Sequence, residues 1–397
     1  MDAAETQRGI IARTAEPAMG RFQHGAELYG HEDALDFSAS LNPLGMPAAA
    51  LDALRENVRA FESYPDVRNA RLADAVAEVE GADAGRLCLC AGATDAFDRI
   101  VDVLAPHRVL LFDPCFSGYE RALRRSDAAL EHVALTVEED FDFTERVLDE
   151  SCAALRSQQA PDLVFLCTPN NPTGRAVGMP FLRCLLECAA EADATVVLDE
   201  CFAELAGLES AVPLQKEFAN LVVVKAFTKT YAMAGLRLGY VVCANAELAQ
   251  RLNDSGAQWA VSVPAQIAGV AALGDATYLE RACTTIVEQR TRLEGELSAA
   301  GMRVIPSCVN YILFCDEVAE SAGAAESSID TTTGSDAEHA DTATLSASLF
   351  DQLLERGIIV RRCGNFEGLD DTWYRIAVRT PEENTRFIQA LKEVRGR

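Results

Sequence analysis

Six short apolar runs, several rich in β-branched residues, constrain the fold of this chain more than any other feature. They are LCLC (87–90), VLLF (109–112), LVFLC (163–167), TVVLD (195–199), LVVV (221–224) and LGYVVC (238–243). Segments with helical patterning lie between them, for example over 70–80 and 179–192. Strands that alternate with helices predict an α/β fold with a mostly parallel sheet covered on both faces.

The C-terminal part of the chain predicts a second, smaller unit. A helical region over 265–300 leads to two more apolar runs, VNYILFC (309–315) and GIIVRRC (357–363), which indicate an α+β domain. The predicted boundaries are 1–45 for an N-terminal arm that contributes to the small domain, 46–265 for the large domain and 266–397 for the small domain.

Residues 317–346 interrupt the small domain. They are rich in Ala, Ser, Thr, Asp and Gly and poor in large apolar residues. Such a composition buries too little apolar surface to order itself, so we expect a disordered acidic insertion.

Charge and composition narrow the class of partner. The chain has 397 residues, 49% of them hydrophobic, and a formal net charge of −26, so it predicts a sizeable core and no basic surface for nucleic acid or an anionic membrane. No stretch is long and apolar enough to span a bilayer, and residues 1–20 lack a signal-peptide core.

The thirteen cysteines are scattered in apolar surroundings without CxxC pairs. We therefore expect a cytoplasmic protein whose cysteines are mostly small core residues, with no metal site.

Polar residues follow the apolar runs at strand ends. Lys229 comes shortly after LVVV, and ligands of open α/β sheets bind outside the carboxyl ends of the strands. Asp199 closes TVVLD, where a buried carboxylate is costly unless a cation meets it. A solvated lysine and a helix cap are the ordinary alternatives for these two residues taken alone.

Two turns add to this pattern. AGATDAF (91–97) carries a glycine before Thr94 and Asp95, which are placed to begin a helix whose N-terminal N–H groups could bind phosphate. TPNNPTG (168–174) is a polar turn directly after LVFLC. Each turn alone has an ordinary structural explanation, but together with the lysine and the aspartate they supply the parts that pyridoxal phosphate requires.

In order and spacing, TPNNPTG, VVLDECF and FTKTYAMAGLRLGY resemble the motifs of fold-type I pyridoxal-phosphate enzymes of the class I/II aminotransferase superfamily. The resemblance runs from about residue 24 to the C-terminus. It implies a large domain with a mostly parallel seven-stranded sheet, a smaller α+β C-terminal domain, and pyridoxal 5′-phosphate as the cofactor.

The resemblance also implies roles for individual residues. Lys229 would carry the Schiff base and later move a proton, and Asp199 would pair with the pyridinium nitrogen. Asn171 would bind the 3-hydroxyl group of the cofactor, and Phe116, in DPCFSGY, would stack on its ring. We expect Lys229 to lose its proton readily, because cationic and apolar groups surround it.

The cofactor phosphate would be held by Thr228, Arg237 and the backbone of Ala93 and Thr94. Tyr64, in ESYPD, resembles the tyrosine that reaches the phosphate of the neighbouring subunit. The resemblance therefore implies a homodimer with active sites at the interface.

Three further stretches, FQHGAELYG, LDFSASLNPLGMP and VRRCGNFEGLDDTWYRIAVRT, resemble the threonine-phosphate decarboxylases within this superfamily. By that resemblance Arg375 would bind the carboxylate of a phosphorylated amino-acid substrate, and Arg361 its phosphate, with His24 and Asn42 nearby. A planar guanidinium suits both tasks, although a surface position is the ordinary alternative for Arg361.

The implied reaction is decarboxylation of L-threonine O-3-phosphate, in cobalamin biosynthesis. The alternative is amino transfer between histidinol phosphate, or another phosphorylated amine, and 2-oxoglutarate. Aminotransferases of the superfamily usually have a tyrosine three residues after the catalytic aspartate, where this chain has Phe202, and this favours a lyase. Two positions depart from the decarboxylase pattern. That pattern usually has two glycines after its histidine, where this chain has HGA (24–26), and an asparagine where this chain has Ser40.

Overall fold

The structure is a computed structural model that describes residue 25, residues 30–316 and residues 348–396. The predicted contact of His24 and the predicted insertion over 317–346 lie outside these residues, as does most of the predicted N-terminal arm.

The described residues form short strands that alternate with helices along much of the chain. The strands are β1 (Leu35–Asp36), β2 (Leu87–Cys90), β3 (Arg108–Asp113), β4 (Ala129–Ala134), β5 (Leu163–Cys167), β6 (Thr195–Asp199), β7 (Leu221–Ala226), β8 (Gly239–Val242), β9 (Arg303–Val304), β10 (Tyr311–Cys315), β11 (Ile358–Ile359), β12 (Arg361–Arg362) and β13 (Trp373–Ala377). The α-helices are α1 (Ala48–Glu56), α2 (Ala70–Glu80), α3 (Ala93–Leu104), α4 (Gly118–Leu123), α5 (Glu145–Leu155), α6 (Met179–Glu191), α7 (Phe227–Thr230), α8 (Ala246–Ser255), α9 (Val263–Leu273), α10 (Tyr278–Ala299), α11 (Leu349–Leu354) and α12 (Pro381–Val394). Turns of 3-10 helix cover Val58–Glu62, Ala84–Arg86, Val137–Glu139, Glu204–Ala206, Val212–Lys216 and Ala234–Leu236.

A seven-stranded sheet forms the larger unit, with the strand order β2-β8-β7-β6-β5-β3-β4. All neighbours pair in parallel except β8, which is antiparallel to both β2 and β7. The predicted α/β fold class, with a mostly parallel seven-stranded sheet, is confirmed. Cys167 pairs with Asp199 and Asp199 with Val224, so the ends of β5, β6 and β7 meet at one edge.

The central strands read as continuous apolar runs because both faces of the sheet are covered. Leu221 and Val223 of β7 belong to one core cluster, whereas Val222 and Val224 belong to another on the opposite face. This alternation follows from the two-residue period of a strand. The same alternation places the side chain of Lys225 on the face of Leu221 and Val223.

A second sheet is antiparallel, with the order β12-β13-β10-β9. It packs with α10, α11 and α12 around a third core cluster that includes Phe37, Ile312 and Phe387. The run GIIVRRC, predicted as one strand, instead forms β11 and β12 in different sheets, because the chain crosses from one to the other at Val360. β11 pairs with β1, so residues 35–36 of the predicted arm join this part of the molecule.

The helical region predicted over 265–300 consists of two helices, α9 and α10, separated at Gly274. α9 packs against α1 and α2 beside the large sheet. The predicted domain boundary between residues 265 and 266 therefore falls inside a helix that packs with the larger unit.

Cys152 of α5 and Cys188 of α6 are buried, as expected for most of the cysteines, but they form a disulfide that the sequence analysis did not predict. The two helices pack side by side, which brings together thiols 36 positions apart in the sequence. Among the described residues, most of the other cysteines are buried and free, and no helix is long and apolar enough to cross a membrane.

Candidate active site

A cavity of about 470 Å³ opens at the carboxyl ends of β5, β6 and β7. Its walls bring together ten of the predicted site residues: Ala93, Thr94, Phe116, Asn171, Asp199, Thr228, Lys229, Arg237, Arg361 and Arg375. The first eight come from the larger unit and the two arginines from the second sheet, so the site lies between the two sheets.

Lys229 lies in the short helix α7, three residues beyond the end of β7. Burial lowers the pKa of its ammonium group to about 8, and the positive charge of Arg375 contributes to the shift. Arg237 acts in the same direction, whereas Cys201 and Asp36 oppose it. A substantial fraction of the amine is therefore neutral, and so nucleophilic, near physiological pH.

This pKa gives a testable pH dependence. Only the neutral amine attacks an aldehyde, so the rate at which the apoenzyme forms a covalent link with added pyridoxal phosphate should rise about tenfold per pH unit below pH 8 and level off above it. Stopped-flow absorbance on the apoenzyme measures the rate. A rate that keeps rising beyond about pH 9.5, as for an ordinary lysine, would contradict the assignment.

Lys225, the other lysine of the same segment, lies elsewhere. Its side chain is 5% exposed, and its Nζ atom lies 2.9 Å from a carboxylate oxygen of Glu80 and 3.0 Å from one of Glu204. It is absent from the walls of the active-site cavity. The structure therefore favours Lys229 as the lysine that meets the cofactor.

Asp199 ends β6 with its carboxylate buried in the cavity wall. Oδ2 accepts a hydrogen bond from the hydroxyl of Tyr119 at 2.7 Å, and Oδ1 accepts one from the backbone N–H of Cys201 at 2.9 Å. Burial raises the pKa of Asp199, and the hydrogen bonds oppose the rise. The ion pairs between described residues include none to Asp199, so the predicted cationic partner would have to be a ligand such as a pyridinium N–H.

Sequence analysis missed Tyr119. It lies in α4, three residues after the predicted stacking residue Phe116, and its ring is 1% exposed. The sequence signal for this residue was its position at the end of DPCFSGY, three residues after Phe116. Its hydroxyl fixes the orientation of the Asp199 carboxylate.

The N-terminus of α3 and the side chain of Arg237 together form a concave surface, here called the cup, that could bind an anion. Within the described part of the chain no side chain caps this helix, and Ala93 and Thr94 of its first turn line the cavity. A Cβ atom on Gly92, which has a φ of 87°, would lie 2.9 Å from the Arg237 guanidinium, so glycine allows this arginine to approach the helix end. Gly239 packs equally closely on the backbone of Gly92. An uncapped helix N-terminus beside a guanidinium fits the predicted phosphate group.

Gly92→Ala should weaken cofactor binding, because the new methyl group would push Arg237 away from the cup and strain the backbone. We expect the dissociation constant for pyridoxal phosphate to rise about tenfold or more, measured by fluorescence titration of the apoenzyme. Gly301→Ala is the matched control, since Gly301 has a similar φ of 85° but no atom of the described residues lies within 4 Å of the added methyl. Equal effects of the two changes would contradict the proposed cup.

Arg375 and Asn171 hold each other in place. The Arg375 guanidinium donates hydrogen bonds to Oδ1 of Asn171 and, at 3.2 Å, to the carbonyl oxygen of Ser38. Its carbon Cζ lies 5.2 Å from the centre of the Tyr311 ring. The guanidinium is thus fixed in the cavity wall, and its Nε atom has no partner among the described residues.

Arg361 lies directly opposite Arg375, on the neighbouring strand of the second sheet. It is 5% exposed, donates to Oδ1 of Asn365 at 2.7 Å and lies over the ring of Phe366. The surface position that was the alternative for Arg361 is therefore wrong. Two guanidinium groups on adjacent strands of one cavity wall suit a ligand with two anionic groups.

Asn42, which is predicted to lie near the substrate, makes two hydrogen bonds to the backbone. Its Nδ2 atom donates to the carbonyl oxygen of Thr230 at 2.8 Å, and its Oδ1 atom accepts from the N–H of Leu44 at 3.0 Å. It is 3% exposed and is not part of the cavity wall. Both polar ends of this side chain hold the backbone, and its contact with the substrate stays a prediction.

Asp36 is a wall residue that sequence analysis missed. Its Oδ1 atom accepts hydrogen bonds from the backbone N–H and the hydroxyl of Ser38, at 2.7 and 2.5 Å. The pairing of β1 with β11 brings it to the cavity, which the sequence pattern alone does not reveal.

Tyr64 lies away from the cavity of its own chain. It is 81% exposed and packs on Trp259, with ring centres 4.7 Å apart. An exposed aromatic pair is suited to a protein interface, and the contact of Tyr64 with a second subunit remains a prediction.

Comparison with known proteins identifies related sequences and structures. Residues 32–391 match the family model described as Aminotransferase class I and II. The threonine-phosphate decarboxylase of Salmonella typhimurium is 30% identical over 380 residues, which cover 94% of this chain and 95% of that protein. The histidinol-phosphate aminotransferase of Methanothermobacter thermautotrophicus is 29% identical over 378 residues, covering 93% and 91%.

Among solved structures, the histidinol-phosphate aminotransferase from Clostridium acetobutylicum superposes with a TM-score of 0.76 and 27% identity, covering 91% of this chain and 99% of that one. The two kinds of relative are thus about equally similar to this sequence.

Proposed function

Since the chain belongs to the aminotransferase class I and II family, whose members depend on pyridoxal phosphate, we propose that it decarboxylates L-threonine O-3-phosphate. The product would be (R)-1-amino-2-propanol O-2-phosphate, a building block for cobalamin biosynthesis. The observation that carries the proposal is the pair of buried arginines, Arg361 and Arg375, side by side in one cavity wall.

Each arginine suits one end of this substrate. Arg375, tied to Asn171 beside the predicted cofactor site, would bind the carboxylate at Cα. Arg361, one strand further away, would bind the phosphate. A short substrate held at both ends has a fixed rotation about its Cα bonds, which selects the bond that breaks.

The residues of this chain would then divide the chemistry. Pyridoxal phosphate, when bound, supplies an electron sink for the bond broken at Cα. Asp199 would keep a proton on the ring nitrogen, because its buried carboxylate forms no ion pair with the described residues and could accept the ring N–H. After CO₂ leaves, Lys229 would deliver a proton from Nζ to Cα, for which a pKa of about 8 is well matched.

Phe202 supports a lyase rather than a transferase. The centre of its ring lies 5.9 Å from Lys229 Nζ, and the ring packs against that of Tyr311. Phenylalanine has no hydroxyl group to donate at this position. Aminotransferases of the superfamily usually have a tyrosine there, which donates a hydrogen bond to the cofactor.

Amino transfer from histidinol phosphate is the second candidate, and Asp36 favours it. This carboxylate lines the cavity and forms no ion pair among the described residues. It could accept a hydrogen bond from an imidazole N–H, a group that threonine phosphate lacks. Arg361 would serve the phosphate in either case.

We also propose a homodimer in which Tyr64 reaches the cofactor phosphate of the neighbouring subunit. The proposal is supported by the exposure of Tyr64 and Trp259 on one face.

Parallel incubations test the proposed reaction. The purified enzyme is mixed with threonine phosphate alone or with histidinol phosphate and 2-oxoglutarate, and CO₂ and glutamate are both quantified. We expect CO₂ from the first mixture and at most traces of glutamate from the second. Glutamate without CO₂ would reverse the assignment in favour of the aminotransferase.

A further inference from the structure

A second cavity, of about 420 Å³, lies on the other side of β7 from the active site. In its wall Lys225 is surrounded by three carboxylates, at 2.9 Å for Glu80, 3.0 Å for Glu204 and 3.7 Å for Glu200. Burial alone would lower the pKa of Lys225, but these carboxylates outweigh it and raise the pKa above its ordinary value. The lysine is thus a permanent cation, paired as a buried charge must be.

Two of the three carboxylates belong to the segment that follows Asp199, whereas Glu80 is the last residue of α2. Glu200 directly follows Asp199 at the end of β6, and Glu204 lies in the turn after it. Glu200 is itself fixed, since it accepts hydrogen bonds from the hydroxyl of Ser210 at 2.6 Å and the N–H of Ala211 at 2.7 Å. Lys225 therefore joins the end of β7 to the segment that follows β6.

A chain of contacts continues from this cluster to Lys229. Glu204 accepts a hydrogen bond at 3.3 Å from the hydroxyl of Thr230, the residue after Lys229. Asn42 binds the same segment from the other side. Its side-chain amide donates a hydrogen bond to the carbonyl oxygen of Thr230 at 2.8 Å, and its backbone N–H donates one to the carbonyl oxygen of Lys229 at 3.1 Å. The peptide that carries the catalytic lysine is held between these two contacts.

We propose that Lys225 is a positioning residue, which acts on Lys229 through Glu204 and Thr230. Lys225 fixes Glu204, and Glu204 in turn holds the backbone of α7. The Cα atom of Lys229 therefore keeps one position relative to Asp199, although its side chain is flexible. This inference rests on the use of pyridoxal phosphate by the family and does not depend on whether the reaction is decarboxylation or amino transfer.

Two variants test the link. Lys225→Met removes the charge that holds Glu204, and Thr230→Val removes only the hydroxyl that connects Glu204 to the lysine segment. We expect each apoenzyme to form its covalent link with pyridoxal phosphate more slowly, by about tenfold for Lys225→Met and several-fold for Thr230→Val. In the loaded enzyme, kcat should fall while the KM of the substrate changes less than about threefold, because Arg361 and Arg375 are untouched.

Val223→Ala is the matched control for a loss of stability alone. Val223 lies on the same face of β7, is fully buried and takes no part in the contact chain. We expect it to lower the melting temperature and to leave the rate of cofactor linkage within about twofold of the wild type. If Lys225→Met and Thr230→Val form the link as fast as Val223→Ala, Lys225 only stabilises the strand and the proposal fails. Should Lys225→Met not fold, the rate for Thr230→Val decides alone.

Discussion

Replacing Lys229 with alanine is expected to abolish turnover and the visible absorbance of the lysine–cofactor link. The reason is its placement: among the described residues, Lys229 is the only lysine in the wall of the active-site cavity. We expect kcat to fall by a factor on the order of 10⁴ or more, as for the loss of a covalent catalyst that also moves a proton.

Borohydride reduction followed by peptide mapping checks this prediction directly. The wild-type enzyme should yield a single labelled peptide that contains Lys229, and Lys229→Ala should yield none. Lys216→Ala, at an exposed lysine, is the control and should behave as wild type. A reducible link in the Lys229→Ala enzyme would show that another lysine meets the cofactor, and Lys225 would be tested first.

The two arginines of the cavity wall are expected to differ in what their loss does. Arg375→Ala should lower kcat/KM for threonine phosphate by a factor on the order of 10² or more, because the carboxylate would lose a bidentate partner and the substrate its fixed rotation. Arg361→Ala should act through the phosphate. The variant should therefore lose most of the preference of the enzyme for threonine phosphate over threonine.

Arg362→Ala is the matched control for both. Arg362 is the next residue on β12, but it lies over the ring of Phe350, at 4.4 Å, and outside the cavity wall. Steady-state kinetics of the three variants with threonine and threonine phosphate make the comparison. A preference for the phosphorylated substrate that survives in Arg361→Ala would contradict the phosphate assignment.

Local sequence was sufficient to predict the central strands and much of the site. The bounds of β5 and β6 match the apolar runs, because a strand buried on both faces has no polar residues until it ends. Asp199 therefore stands out as the polar residue that ends β6, and Lys229 as one that lies three residues beyond the end of β7. Parallel strands then bring their carboxyl ends to one edge, so Asp199 and Lys229 could be placed near each other from the sequence.

The features that sequence analysis missed depend on long-range contacts. The pairing of Arg361 with Arg375 comes from the register of β12 and β13, and Asp36 reaches the cavity only because β1 pairs with β11. The strand β4 has an exposed edge and so lacks an apolar run. Likewise, no local pattern shows that the amide of Asn42 binds a backbone carbonyl 188 residues away.

The central claim is that the bond from Cα to the carboxylate breaks and the bond from Cα to hydrogen does not. Threonine phosphate labelled with ¹³C in the carboxylate and with deuterium at Cα, incubated with the enzyme and 2-oxoglutarate as amino acceptor, distinguishes these outcomes in one mass-spectrometric measurement. We expect the ¹³C label to appear in CO₂ and the aminopropanol phosphate product to retain its deuterium. Retention of ¹³C in an oxo acid, with loss of the deuterium to water, would contradict the claim.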